Sequence, residues 1–495
     1  MDIATVLKNM NFGERVAEED NQLETYFVET NQWRRTIRGE VDVIYGPKGS
    51  GKSALYFLLL KKKGELGNKG TILIAGENPR GATAFRDLAT DPPASESEFT
   101  GIWKLYIAAL IGRQIHDLGS SGEKSSSLTS ILGEAGLLKS GGLEATLRSV
   151  RKYIRAWVNP GAIETEVKID PTTGAPVGII GRLAMRDQVA SPTESMPLSL
   201  DSLLKLANEA LHESGIRVWV LLDRLDIAFA DSKELEENAL RALFKVYLDL
   251  RQMENIELKI FLRDDIWERI TRLGFREASH ITRTITIQWD NRSLLNLIVK
   301  RAVQNKSIQE FYSCSPDGVL ASPESQHDFF YKLFPEQVEK GSRRPNTFDW
   351  LLSRTRDGTK YSAPRELIHL LNNSIQKQLD VFDMGGYEPD GENLVAGSAM
   401  KEALPEVSRV RLEQTLYAEY PSLRESIEKL HGEKASQSIT TLAGILGVDN
   451  DEANAIAGDL VSVGFFEQRG EKHDPEFWVP FLYRDALHLT QGSAD

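Results

Sequence analysis

Residues 46–53 read Gly46-Pro47-Lys48-Gly49-Ser50-Gly51-Lys52-Ser53. They follow Val41-Asp42-Val43-Ile44-Tyr45, a short β-rich stretch, and precede Ala54-Leu55-Tyr56-Phe57-Leu58-Leu59-Leu60, a helix-favouring run. This is the G-x-x-x-x-G-K-[ST] spacing of a phosphate-binding loop, set between the strand and helix that the motif requires. Its glycines let successive backbone N–H groups turn toward one anion, and the helix N-terminus adds the positive end of its dipole. Lys52 would reach the β- and γ-phosphates, and the Ser53 hydroxyl would ligate Mg²⁺. The expected ligands are ATP or ADP with Mg²⁺, held by Gly46 through Ser53.

A partner acidic strand is expected further along. Val218-Trp219-Val220-Leu221-Leu222 is a continuous apolar run, as suits a strand buried on both faces of a parallel sheet. Asp223 stands at its carboxyl end, the edge where ligands collect in open α/β sheets, and is the expected Mg²⁺-side carboxylate. The position after it, where such ATPases usually carry a second acid, holds Arg224; the next carboxylate is Asp226. Either Asp226 activates water or hydrolysis is slow. A third strand, Leu258 to Leu262, runs into Arg263-Asp264-Asp265. Arg263 is placed to sense the γ-phosphate, with an ion pair to Asp264 or Asp265 as the alternative. Thr71 to Ala75 and the alternating Thr282 to Ile287 complete about five core strands separated by helical stretches. That pattern predicts an α/β P-loop NTPase core, parallel and three-layered.

Composition narrows the rest. The chain has 495 residues, 41% hydrophobic and 26% charged, which is a globular balance and excludes wholesale disorder. A net charge of −13 argues against a generally basic nucleic-acid binder. Cys314 is the one cysteine, so an internal disulfide is impossible. The longest apolar runs fall far short of the roughly 20 residues that span a bilayer, and Met1-Asp2-Ile3-Ala4 does not open a secretory signal. No membrane association is expected, and the expected location is cytoplasmic.

Between the second and the acidic strands lies an insertion at about 119–205. Ahead of it, Phe99 to Leu118 has helical spacing, with Trp103, Tyr106, Ile107, Leu110 and Ile111 on one face. Gly119 to Gly142 is rich in Gly and Ser and predicts a mobile loop. Glu164 to Ile169 and Val177 to Ile180 flank Asp170-Pro171-Thr172-Thr173-Gly174, the pattern of a β-hairpin. After the last core strand the sequence is helix-rich as far as about Leu379. There Ser362-Ala363-Pro364-Arg365 opens a helix that continues through His369, a packing residue on this reading. Arg365 in the first turn opposes the helix dipole, which is reasonable where a phosphate arrives; a structural ion pair is the alternative. Asp383 to Gly397 has linker composition. Thr441 to Val448 and Asp451 to Val463 then predict helix, turn, helix, with Glu476 to Leu482 as the wing strand of a winged-helix module. Its second helix carries Asp451, Glu452 and Asp459 and no Lys or Arg, which is repulsive to a phosphate backbone.

Glycine loop, acidic strand, polar sensor strand, helical lid and winged helix follow one another along nearly the whole chain. In this order the sequence resembles the AAA+ ATPases, specifically the bacterial STAND-like branch. Phe12-Gly13 with Ala17-Glu18-Glu19-Asp20 resembles that branch's N-terminal adenine-side element. Arg263 matches its sensor-strand arginine, and Ser362 to Arg365 its lid proline motif. The resemblance implies an adenine-side segment at 1–40, an ATPase core at 41–290, a helical lid at 291–382, a linker at 383–400 and a winged-helix-like domain at 401–495. It further implies an ATP-hydrolysing switch that controls self-assembly into a homo-oligomer or a protein effector, in anti-phage or stress defence. Arg272, Arg276 and Arg283 lie where such oligomers supply an arginine finger, with Arg276 preferred and surface salt bridging as the alternative for each. Two departures stand out: Arg224 replaces the second acid, and no effector domain or repeat array is attached. An initiator-like ATPase that binds DNA through the winged helix is the alternative function.

Overall fold

In the computed structural model five short strands make one all-parallel sheet, ordered β2-β3-β4-β1-β5. They are β1 (Val43–Gly46), β2 (Thr71–Ala75), β3 (Arg217–Leu222), β4 (Ile256–Arg263) and β5 (Thr284–Thr286). The structure describes residues 2–78, 83–85, 88, 93, 95–138, 142–158, 199–225, 232–272, 274–386, 389, 391–471 and 474–494. Asp226 and the expected hairpin at 164–180 lie outside the described residues. By contact the chain divides into two units: Asn31–Pro47 with Lys52–Ile287, and Met1–Thr30 with Lys48–Gly51 and Gln288–Asp495.

The first unit is the α/β P-loop core. Val218 to Leu222 of β3 and Ile256, Leu258 and Ile260 to Leu262 of β4 are all buried, as continuous apolar strands under helices must be. Helix α1 (Lys52–Lys61) starts within the glycine-loop motif. Helix α2 (Glu96–Asp117) is capped by the Ser95 hydroxyl, which accepts from the Glu98 N–H at 3.2 Å. From Ile102 to Ile111 it is buried all round rather than on one face. The cause is its packing against α3 (Glu123–Glu134), α4 (Leu200–Glu213) and α5 (Lys233–Leu250) together. Half of the stretch expected as a mobile loop, Gly119 to Gly142, is α3. Leu128 and Leu132 give it a buried stripe, and the Ser127 and Thr129 hydroxyls bond back to the carbonyls of Glu123 and Ser125 at 2.8 and 2.9 Å. Lys259 of β4 is fully buried, its ammonium 2.8 Å from Asp42 and 2.7 Å from Glu257 and stacked on Trp219.

The second unit holds the helical lid and winged helix on one hydrophobic core, shared with the N-terminal helix Ile3–Asn9. Its lid elements include α7 (Asn291–Val303) and α8 (Pro364–Asp383); α9 (Leu404–Arg411) follows. Leu394 and Val395 are fully buried in this core, so the stretch with linker composition is packed at that point. The winged helix comprises α10 (Ile439–Leu446), α11 (Asn450–Ser462) and the strands β6 (Lys434–Gln437), β7 (Glu467–Glu471), β8 (Asp474–Trp478) and β9 (Thr490–Ser493). A capping box of Ser438 and Thr441 starts α10, and Gly447 at φ 73° ends it. The wing is the β7–β8 hairpin; the expected wing strand stops at Trp478, and Phe481 opens a short helix instead. Gly358 leaves no room for a side chain beside the Phe466 carbonyl, and its N–H donates to the Gly464 carbonyl at 2.7 Å. No helix among the described residues is long and apolar enough to cross a membrane.

Candidate functional site

Parallel pairing brings three chemically distinct strand ends to one edge of the core. Gly46 of β1 is in register with Arg263 of β4, and Leu222 of β3, just before Asp223, is in register with Ile260. The Lys52 ammonium is folded over its own loop, donating to the Gly46 and Pro47 carbonyls at 2.6 and 3.0 Å. The Ser53 hydroxyl donates to Asp223 Oδ2 at 2.8 Å, so the two residues expected at Mg²⁺ meet from distant parts of the sequence. Asp223 is 4% exposed. A hydroxyl and a carboxylate side by side are hard oxygen donors of the kind Mg²⁺ takes while keeping several waters.

Around this pair the carboxylates divide by partner. Arg263 is bound bidentately by Asp265, at 3.0 and 2.8 Å, so of the two acids expected as ion-pair partners it is Asp265 that holds it. Arg224 sits at φ 57°, a left-handed conformation uncommon for any residue but glycine. Its charge acts on Glu77, which sequence reasoning missed. Glu77 lies two residues beyond β2, fully buried, and accepts from Thr83 Oγ1, the Ala84 N–H and the Asn78 N–H at 2.7, 2.9 and 2.6 Å. Burial pushes its carboxyl above the usual range despite those donors. The signal was an acid just past a strand that had itself been recognised.

The tip of the glycine loop, Lys48–Gly51, belongs with the lid and winged helix. Gly49 has φ 80°, and a Cβ there would lie 3.1 Å from Ala363 Cβ and 3.2 Å from Arg365 Cβ. Glycine is therefore needed both for the turn and for the close approach of the lid proline motif. Ser50 is buried, and its carbonyl accepts from the Trp289 indole at 2.8 Å. Lys48 is ion-paired with Glu419, the last residue of the helical stretch that continues from α9.

No protein-family model and no curated protein sequence matches the chain. Among solved structures it is similar to Aeropyrum pernix ORC1 protein in complex with DNA, at 11% identity, TM-score 0.37 and 96% of each chain. It is similar also to the Aeropyrum pernix ORC2 protein in ADPNP–ADP complexes, at 12% identity, TM-score 0.40 and 96% of each chain. Cdc6p from Pyrobaculum aerophilum follows at 14% identity and TM-score 0.22, over 62% of this chain and 74% of its own. At these identities and TM-scores the likenesses lend nothing to the site residues or to any ligand.

Arg365 lies in the first turn of α8 and lines a cavity of about 200 Å³ with Arg15, Glu366, His369, Arg411 and Gln414. Arg15 donates to Gln414 at 3.0 Å, and Arg411 donates to Glu366 at 2.8 Å. Arg365 makes no hydrogen bond or salt bridge among the described residues. Burial lowers its pKa, which marks a cation set where an anion would stabilise it. His369, read as a packing residue, is half-buried in the same cavity; burial first, then the Arg15 charge, lower its pKa and keep it neutral at neutral pH. The adenine-side motif does structural work in this unit. Gly13, at φ 83°, leaves room for Arg301, Tyr26 and Asp20, and any Cβ would collide with them. Asp20 takes Arg301 at 3.4 Å, and Asn372 of α8 holds the Phe12 N–H and the Gly13 carbonyl at 3.0 and 2.9 Å.

The three finger candidates separate clearly. Arg283 is bound to Asp42 at 3.0 Å in the Lys259 network, and Arg272 pairs with Glu268 at 3.3 Å. Arg276 is exposed and has no salt bridge among the described residues.

Proposed function

We propose that this chain is an ATP-binding and hydrolysing switch whose nucleotide state sets self-assembly or the hold on a protein partner. One observation carries the reading: Lys48–Gly51, the tip of the loop that holds the phosphate chemistry, packs within the same unit as the lid and winged helix. Lys52, Ser53 and Asp223 supply the ammonium and the Mg²⁺ oxygens. Lys48, Gly49 and Ser50 are held by Glu419, the Ala363–Arg365 turn and Trp289. In this reading Gly46 to Ser53 cradle the phosphates, Arg365 answers the γ-phosphate, and Arg263 senses it once released from Asp265. Ligand binding that disturbs such contacts shifts the loop tip between two arrangements by its differential affinity for them. The resemblance adds bacterial defence as a setting for such a switch.

DNA loading through the winged helix is the second reading, favoured by the helix-turn-helix and wing. Charge weighs against it. Asp451, Glu452 and Asp459 all lie on the exposed face of α11, and the wing's Arg469 is tied to Glu467 at 2.9 Å and stacked on Trp478. Assembly is checked by solution mass without nucleotide, with ADP and with a non-hydrolysable ATP analogue. The expected result is a defined oligomer with the analogue, lost in Arg276→Ala. An unchanged mass in all three states removes the assembly reading.

A further inference from the structure

A switch that hydrolyses ATP needs a base for the attacking water; the position after Asp223 that usually supplies one is Arg224, and Asp226, the next carboxylate, lies outside the described residues. The described carboxylates at the phosphate edge of the sheet can be sorted by what already occupies them. Asp223 takes the Ser53 hydroxyl, and Asp265 takes both arms of Arg263. Glu77 is saturated by three donors and fully buried. Asp264 differs from all of these. It follows Arg263, the β4 residue in register with Gly46, so it opens α6 (Asp264–Arg272) beside the strand that carries the glycine loop. One oxygen accepts the Asp265 N–H at 3.0 Å; it has no salt bridge among the described residues, and it is half-buried. It lies within electrostatic reach of Lys52, the residue that meets the terminal phosphates in the reading above.

We propose that Asp264 is the catalytic base that activates water for ATP hydrolysis, in the place left empty by Arg224. The inference rests on the ATPase reading. As the water oxygen bonds to the γ-phosphorus, Asp264 takes one water proton. The bond from the γ-phosphorus to the bridging oxygen breaks, and its electron pair leaves on ADP. Phosphate then departs, and Asp264 returns its proton to solvent. Burial and the adjacent Asp265 charge raise the Asp264 carboxyl above the usual aspartate range, against the pull of Lys52, which brings its basicity toward the working pH.

The test is Asp264→Asn on the full chain, which keeps an acceptor for the Asp265 N–H. The analogue's affinity should stay within about threefold of wild type. Turnover should fall by ~100-fold or more, the usual scale for a lost general base. The acid limb of the kcat–pH profile should vanish in Asp264→Asn and persist, displaced, in Asp264→Glu. Turnover of Asp264→Asn close to wild type overturns the proposal. So does loss of analogue binding in that variant, which would make Asp264 a binding residue, and so does a wild type that binds ATP without hydrolysing it. A wild type that binds no ATP overturns the ATPase reading itself, a result separable from the other three.

Discussion

Lys52→Ala weakens ATP binding by at least ~100-fold and leaves the protein folded. The ammonium is held against the Gly46 and Pro47 carbonyls, at 2.6 and 3.0 Å, in the mouth of the loop. Phosphate oxygens compete for it with full negative charge, and a charge-assisted hydrogen bond is worth roughly twice a neutral one. Losing two or three such bonds, at about 1.5–3 kcal/mol each, gives the expected factor. The N–H groups of the loop remain, so weak binding of ADP survives. Titration calorimetry reads the affinity, and circular dichroism reads the fold. Undiminished ATP affinity in a folded variant contradicts the assignment of this loop.

Arg411→Ala has the largest expected effect on stability. Arg411 is 8% exposed and donates to Glu366 at 2.8 Å, with Asp357 at 3.5 Å and the Tyr483 hydroxyl at 3.4 Å. Its partners hold its pKa above the usual arginine value despite burial. Truncation leaves the buried Glu366 and the part-buried Asp357 without their cation, and breaking a buried pair from one side typically costs about 3–5 kcal/mol. The pH dependence has a definite sign. Asp357 is already raised by burial, with Arg411 the main opposing influence. Without Arg411, the folded state binds protons at higher pH than the unfolded chain, so the variant gains stability as pH falls. The loss measured by chemical unfolding should be larger at about pH 8 than at about pH 5. A loss below ~1 kcal/mol at pH 8 contradicts this account of the cluster.

Much of the core was legible because its signals are local. Val218 to Leu222 reads as a buried parallel strand from composition alone, and Gly46 to Ser53 carries its own strand and helix. The meeting of Ser53 with Asp223 followed from placing Asp223 at the carboxyl end of β3 and Ser53 at the start of the helix after β1, on the edge where a parallel sheet collects its ligands. What was not legible depended on packing. Gly119 to Gly142 has loop composition, yet Leu128 and Leu132 find a covered face and the hydroxyls satisfy themselves within the helix. Nothing in the sequence distinguishes Asp264 from Asp265 as the partner of Arg263; the side-chain geometry decides that. Glu419 carried no motif at all, and its pairing with Lys48 joins residues far apart in the chain. Arg411 likewise reads as one more helix-surface base until Glu366 and Asp357 close around it.

The central claim, that phosphate binding and the hold of the C-terminal unit on the loop oppose one another, is tested most directly by Glu419→Gln. Glu419 and Lys48 are only partly exposed, so their interaction is less screened than a free surface pair. In the wild type a carboxylate stands at the loop that must receive several phosphate charges. Removing it should tighten binding of a non-hydrolysable ATP analogue about tenfold, equal to about 1.4 kcal/mol of released repulsion. The gain should shrink as salt is raised. An affinity within about twofold of wild type at low salt would show that the Lys48–Glu419 pair does not govern the loop, and would contradict the switch as drawn.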